Sequence, residues 1–228
     1  MRLEDKMKKV LAGILAILMA LSLAACGRKT EADLVNDAME RFDALQNGEL
    51  TVTVTLSSEQ GIVEGFDAVT KETLTFVRDG RQTDALYRSE TAMGDETVVT
   101  EMKMQGGKVY SLVEGAWQEQ GDAGGSFAPF GGRLKNGIAV VTTTEWDTGT
   151  EYTFEMNEKA LADLNKQAPE GQQVLESSAT YLVNPEGLLV GQRVTSRASV
   201  TVDGKTDQLF SETETTLTAW NQPDVTIE

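Results

Sequence analysis

Apolar residues recur with a helical period directly after residue 30. The stripe that they form consists of Leu34, Val35, Ala38, Met39, Phe42 and Leu45. Charged residues occupy the other side, which is the pattern of an amphipathic helix. Thr30 and Asp33 have the spacing of a capping box, and Asn47-Gly48 follows the stripe as a stop signal. The sequence therefore predicts a helix over 31–46 whose stripe packs on a sheet.

After Gly48 apolar and polar residues alternate, which is the two-residue period of a strand. The first of these strands carries on one face Leu50, Val52, Val54 and Leu56. The same pattern predicts further strands over 70–78, 83–92, 96–105 and 108–114. Turn dipeptides such as Asp79-Gly80 and Gly106-Gly107 separate them. Because these connections are short, consecutive strands must run antiparallel.

Residues 121–137 interrupt the strands with six glycines and one proline. Phe127 and Phe130 are the only large aromatic residues in this segment. Loops of this length without regular structure are usually either functional or disordered. Two interpretations stay open, namely a surface loop whose rings pack back into the core and a lid over an apolar cavity.

The rest of the chain is again dominated by strand patterns. Strands are predicted over 138–144, 151–156, 178–183, 188–202 and 208–219, with a short edge strand over 224–228. Asn157 is a favoured helix cap and predicts a second helix over 158–167. In strand 188–202 the inward positions include small or polar residues such as Gln192 and Ser196. Either this face leaves room for a cavity or for the helices, or it is the solvated face of an ordinary sheet. The pattern predicts an α+β fold, mainly antiparallel β.

The first 26 residues have the pattern of an export signal. The basic residues that open it are Arg2, Lys6, Lys8 and Lys9. The uncharged run over 10–25 would rise about 24 Å as a helix, less than the roughly 30 Å of a bilayer's hydrocarbon core. It ends in Leu23-Ala24-Ala25-Cys26, which resembles the lipobox of bacterial lipoproteins. A plain signal peptide and an uncleaved anchor helix are the alternatives.

The lipobox interpretation divides the chain into three parts. Residues 1–25 are predicted to be a cleaved signal peptide, and 26–30 a tether that begins at the lipidated Cys26. Residues 31–228 are predicted to form a single domain. The protein is then anchored by lipid to a cell membrane and faces outside the cytoplasm.

Composition excludes several classes of function. The formal net charge is −16 at pH 7, which argues against nucleic acid and anionic headgroup surfaces as partners, because both select basic patches. The chain has no histidine and one cysteine, so Ser-His-Asp catalysis, Cys-His catalysis and ordinary zinc sites are excluded. Phosphate-loop and dinucleotide motifs are missing from the sequence, and neither a cofactor nor a metal site is predicted.

The order of the elements resembles that of the LolA/LppX-like exported lipoproteins. Three local features are similar to that family: the helix over 31–46 that runs through Asn47-Gly48 into a Thr/Val strand, the hairpin formed by Gly107–Tyr110 with Gly115–Trp117, and the closing segment Trp220–Glu228. The resemblance implies a curved sheet or incomplete β-barrel covered by one long N-terminal helix and a second short helix. It also implies a space between helices and sheet for acyl chains or another apolar ligand.

These observations favour a non-catalytic, membrane-anchored carrier of a hydrophobic or lipid-like ligand in the cell envelope. An apolar cavity needs apolar walls more than placed polar groups. The candidate wall residues are Leu34, Met39, Phe42, Met102, Met104, Phe127 and Phe130. The alternative is a structural or interaction module that binds another envelope protein and has no cavity ligand. An enzyme is not expected.

Overall fold

The protein is described from a computed structural model. It describes residues 29–62, 67–80, 82–94, 96–123, 128–135, 139–166, 168, 171–202, 204–223, 225 and 227. The export signal with Cys26, and Phe127 in the glycine-rich segment, lie outside the described residues.

Within these ranges the chain forms two helices and eleven strands. The helices are α1 (Glu31–Asp43) and α2 (Glu158–Asn165). The strands are β1 (Asn47–Ser58), β2 (Ala68–Asp79), β3 (Gln82–Met93), β4 (Glu96–Gln105), β5 (Lys108–Val113), β6 (Ala116–Asp122), β7 (Ala139–Trp146), β8 (Gly149–Met156), β9 (Gln172–Val183), β10 (Leu189–Val202) and β11 (Lys205–Trp220).

All of these strands belong to one antiparallel sheet, in the order β6-β5-β4-β3-β2-β1-β11-β10-β9-β8-β7. Neighbours in the sheet are neighbours in sequence, except that β1 pairs with β11, with Leu50 opposite Leu217. β6 and β7 are the two edges, so the sheet is not closed. The predicted fold class, an open antiparallel sheet with two helices, is confirmed.

Helix α1 begins as predicted and ends earlier. Thr30 accepts a hydrogen bond from the Asp33 amide over 3.2 Å, and its own amide donates to the Asp33 carboxylate over 2.9 Å. This reciprocal capping box is confirmed. Asn47-Gly48 does not end the helix but begins β1, and a Cβ on Gly48 would lie 2.8 Å from the Phe76 ring. The glycine allows the strand to pass close over that ring.

The core lies between α1 and the sheet. Its largest fully buried apolar side chains are Phe42, Phe76, Leu50, Leu74, Leu189 and Val35. Each contributes about 1.5–3 kcal/mol relative to an exposed position. This burial is what holds the marginally stable α1 on the sheet.

Helix α2 is confirmed, ending at Asn165 rather than 167. The Asn157 side chain accepts a hydrogen bond from the Ala160 amide over 2.9 Å. The Asn165 side-chain amide donates to the Val174 carbonyl in β9 over 2.8 Å, and its oxygen accepts from the Val174 backbone amide over 2.7 Å. α2 is thereby fixed to the sheet although none of its residues is fully buried.

The strand predictions differ from the structure in three main ways. No strand is predicted over β6, because its residues do not alternate between apolar and polar, and β9 begins before the predicted start at 178. Val225 and Ile227 are not in a strand, and the remaining positions of the predicted edge strand lie outside the described residues. The Ile227 carbonyl instead accepts a hydrogen bond from the Gln105 side chain over 3.4 Å.

A buried carboxylate fixes the chain that follows β1. Asp207 in β11 is fully buried and accepts hydrogen bonds from the Ser58 hydroxyl over 2.6 Å and from the Ile62 amide over 2.9 Å. The amides of Gln60 and Gln208 donate to its other oxygen over 3.0 and 2.8 Å. The Ser58 hydroxyl is the main cause that lowers the pKa of Asp207 to about 2, and the three amides add to it.

We expect Asp207→Asn to destabilise the fold in a pH-dependent way. Because the pKa is lowered on folding, the charged Asp207 stabilises the protein above its unfolded pKa of roughly 4, and this contribution is lost as the pH falls towards about 2. The wild type should therefore unfold at higher urea than the variant at pH 7, and the difference should shrink below pH ~4. Asp163→Asn on the surface of α2 is the control. A difference that stays constant with pH would contradict this role.

Candidate functional site

A cleft of about 740 Å³ opens at the C-terminal end of α1. We call it the α1 cleft. Its sides are α1, the ends of β2, β3 and β4, and the segment 128–133. Its volume lies within the roughly 300–1,000 Å³ that is typical of small-molecule sites.

One wall of the α1 cleft is apolar. Met39, Phe42 and Phe130 are buried, and Met104 is half-buried beside them. The rings of Phe42 and Phe130 meet edge to face with centroids 4.9 Å apart, and Phe42 also lies 5.5 Å from Phe76. Phe130 therefore packs back into the core, as the first of the two loop interpretations predicts.

Side-chain hydrogen bonds fix the segment that carries Phe130. The Asn36 side-chain amide on α1 donates to the Leu134 carbonyl over 3.1 Å, and its oxygen accepts from the Leu134 backbone amide over 2.8 Å. Gln192 in β10 donates to the Phe130 carbonyl over 3.2 Å. Arg133 donates to the Asn36 carbonyl. The apolar wall is thus held from the helix and from the sheet.

Three charged side chains stand at the polar side of the cleft, and we call them the rim cluster: Asp43, Arg78 and Arg133. One Asp43 oxygen lies 3.9 Å from Arg78 Nη2 and the other 3.1 Å from Arg133 Nη2. The carboxylate therefore joins the two guanidinium groups.

Arg78 has a structural role besides its charge. It donates to the carbonyls of Phe42 over 2.7 Å and Leu45 over 3.2 Å, which explains why the chain leaves the helix before residue 46. Its guanidinium lies 5.1 Å from the Phe42 ring centroid and 4.7 Å from that of Phe76, within cation–π range. Burial lowers the pKa of Arg78, with Asp43 opposing that effect.

The structure brings four of the seven predicted wall residues together. Met39, Phe42, Met104 and Phe130 line the cleft. Leu34 is 40% exposed on the rim of the α1 stripe, and Met102 is 39% exposed two positions before Met104. Neither of these two lines the cleft, and Phe127 lies outside the described residues.

The rim cluster is what sequence reasoning misses. Asp43 sits on the polar side of a predicted helix, where a solvated charge is the ordinary interpretation. Arg78 precedes a turn, and Arg133 lies in the glycine-rich segment. No local pattern connects them, because the contact depends on how α1 lies on the sheet.

Within the residues that the structure describes, no group of three or more His, Cys, Asp or Glu side chains is placed to hold a metal ion. No helix in that part of the chain has the length and hydropathy needed to cross a membrane.

Comparison with known proteins gives structural likeness alone. No protein-family model matches the chain, and no curated protein is similar to it in sequence. LprF from Mycobacterium bovis is similar in structure, with 14% identity and a TM-score of 0.44 over 86% of this chain and 95% of LprF. The lipoprotein LppX from Mycobacterium tuberculosis has 15% identity and a TM-score of 0.44 over 86% of this chain and 97% of LppX. At these values the likeness assigns neither a family nor a function to the chain.

Proposed function

We propose that this chain is an exported lipoprotein that binds a hydrophobic or lipid-like ligand and catalyses no reaction. The observation that carries the proposal is the α1 cleft, with its volume and its apolar wall. Two methionines contribute to that wall, and their flexible thioether chains adapt to ligands of different shape.

The energetics are compatible with useful affinity. Each buried CH₂ group contributes about 0.8 kcal/mol, so ten methylenes supply about 8 kcal/mol. The loss of translational and rotational freedom on binding offsets several kcal/mol of this gain. We therefore expect a dissociation constant between about 1 μM, the value without that offset, and about 1 mM for a single alkyl chain of this length.

The proposal includes the anchor. Residues 1–25 are removed, Cys26 carries the lipid, and 26–30 connect it to the domain formed by 31–228. Support comes from the lipobox-like Leu23–Cys26 and from the position of the chain's single cysteine there. Two acyl chains hold a protein stably on a membrane, whereas one binds only marginally. An unmodified Cys26 in native material, read by mass spectrometry, would contradict the anchor.

The cleft is tested with the chain expressed from residue 27 and the solvatochromic dye Nile Red. We expect one dye per chain and blue-shifted emission. Met104→Glu places a carboxylate in the apolar wall and should weaken dye binding about tenfold or more, because burying an unpaired charge is unfavourable. Fluorescence titration measures both effects.

Met102→Glu is the matched control. It makes the same change on the same strand, outside the cleft, and should leave the dissociation constant within about twofold, as a surface substitution does. Circular dichroism must show both variants folded. Absence of a blue shift, or equal weakening by the two variants, would overturn the carrier proposal. Either result would favour the alternative, an envelope interaction module without a cavity ligand.

A further inference from the structure

The mouth of the α1 cleft differs in charge from the protein as a whole. The chain has a formal net charge of −16. The residues that line the cleft include two arginines, Arg78 and Arg133, against one carboxylate, Asp43. Glu40 lies 4.0 Å from Arg133 but is largely exposed and does not line the cleft. The charged residues that line the cleft therefore carry a net positive charge, although the chain as a whole is acidic.

This charge lies directly beside the apolar wall. Arg78 stacks over the Phe42 ring, and Phe42 packs against Phe130 in that wall. Two backbone carbonyls hold the Arg78 guanidinium in place. Arg133 is tied to Asp43 and to the Asn36 carbonyl on α1. Both cations are thus held in position by contacts within the fold, with Arg78 12% exposed and Arg133 45% exposed.

We propose that the α1 cleft selects an amphiphile with an anionic head. The tail lies along the apolar wall, and the head lies beside Arg133 and Arg78, where guanidinium groups form strong charge-assisted hydrogen bonds to carboxylate or phosphate oxygens. This inference rests on the proposed function, since it names the ligand class for the same cleft. The Asp43 carboxylate would weaken binding of this head, because the two negative charges repel each other.

The experiment compares three ligands of equal chain length, namely dodecanoate, dodecanol and dodecyltrimethylammonium. The two ions are used below their micelle concentrations and the alcohol below its solubility limit. Their dissociation constants are measured by displacement of Nile Red at pH 8. We expect dodecanoate to bind about five- to tenfold more tightly than dodecanol, with the cation weakest. The preference should fall with added salt because the rim is partly exposed.

Two variants, one that removes a positive charge and one that removes a negative charge, test the role of the rim cluster. Arg133→Gln should bring the dodecanoate-to-dodecanol preference down to about twofold or less, and Asp43→Asn should raise it about threefold. Arg88→Gln and Asp163→Asn make the same charge changes outside the cleft and should leave the preference as it is. Asn36→Ala loosens the segment at Leu134 without a charge change, so it reports any effect of segment position alone.

Each outcome decides a different point. Equal binding of dodecanoate and dodecanol by the wild type overturns the anionic head and leaves the carrier proposal intact. If Arg133→Gln and Asn36→Ala each weaken both ligands equally, Arg133 only holds the segment and the inference is overturned. If none of the three ligands binds, the carrier proposal fails, and the inference fails with it.

Discussion

Phe42→Ala should lower the free energy of unfolding by about 3–5 kcal/mol, the usual cost of deleting a buried phenylalanine side chain. Phe42 is 2% exposed. Its ring contacts Phe76 on the sheet, Phe130 on the loop segment and the Arg78 guanidinium. Three parts of the fold meet at this one ring, so they cannot all move in to fill the cavity that its removal leaves.

Urea unfolding followed by circular dichroism measures this loss. Leu34→Ala is the matched control, because Leu34 belongs to the same predicted stripe but is 40% exposed. We expect that variant to lose about 1 kcal/mol or less. Similar losses for the two variants would mean that α1 does not pack on the sheet through Phe42.

The local elements of this fold could largely be predicted from the sequence. The helical stripe and the Thr30–Asp33 box identify α1, and alternation with turn dipeptides identifies most strands. These signals are read over a few residues, where the spacing of side chains and the needs of caps and turns dominate.

The features that join distant parts of the chain could not be predicted in this way. The pairing of β1 with β11 brings Leu50 opposite Leu217. The end of α1 depends on Arg78, which bonds the Phe42 carbonyl from the far end of β2. Gly48 is a residue type that often ends helices, but here glycine is needed because the backbone passes close to the Phe76 ring on β2. None of these contacts can be predicted from a local sequence pattern.

The candidate site shows the same division. A stripe or an alternating strand marks residues as apolar, and four of them do form the wall of the cleft. The alternating pattern does not show that Met104, at the end of β4 beside the core, lines the cleft while Met102, two residues earlier on the same strand, does not. That difference is set by how far α1 and the segment 128–133 reach across the sheet.

Asp207 is a further case that a local pattern does not explain. Strands are predicted over 188–202 and 208–219 on either side of the turn, and β10 and β11 do pair there, with Thr201 opposite Thr206. The carboxylate's role comes from Ser58 at the end of β1 and from Gln60 and Ile62 just after it. Those donors reach Asp207 because β1 and β11, the first and last strands in sequence, are paired in the sheet.

Among the glycines that the structure describes, Gly149→Ala should be the most damaging substitution, with an expected loss of about 4 kcal/mol. Gly149 begins β8 with a φ of 145°, and a Cβ there would lie 2.2 Å from the Val183 carbonyl oxygen and 3.0 Å from Asn184 Cα. A backbone conformation that favours glycine adds roughly 1–3 kcal/mol, and overpacking adds roughly 1–3 kcal/mol. The clash is with backbone, so no side-chain rotation relieves it.

Relief would require the end of β9 to move away from β8. β9 is hydrogen-bonded to β8 on one side and β10 on the other, so that movement would break pairs such as Thr150 with Val183. Gly115→Ala is the control, since Gly115 also has a positive φ, 79°, but nothing lies within 4 Å of its Cβ position. We expect it to lose about 1 kcal/mol. Equal losses in urea unfolding would mean that backbone conformation alone requires glycine at 149, and that β8 and β9 can separate at this end without disturbing the sheet.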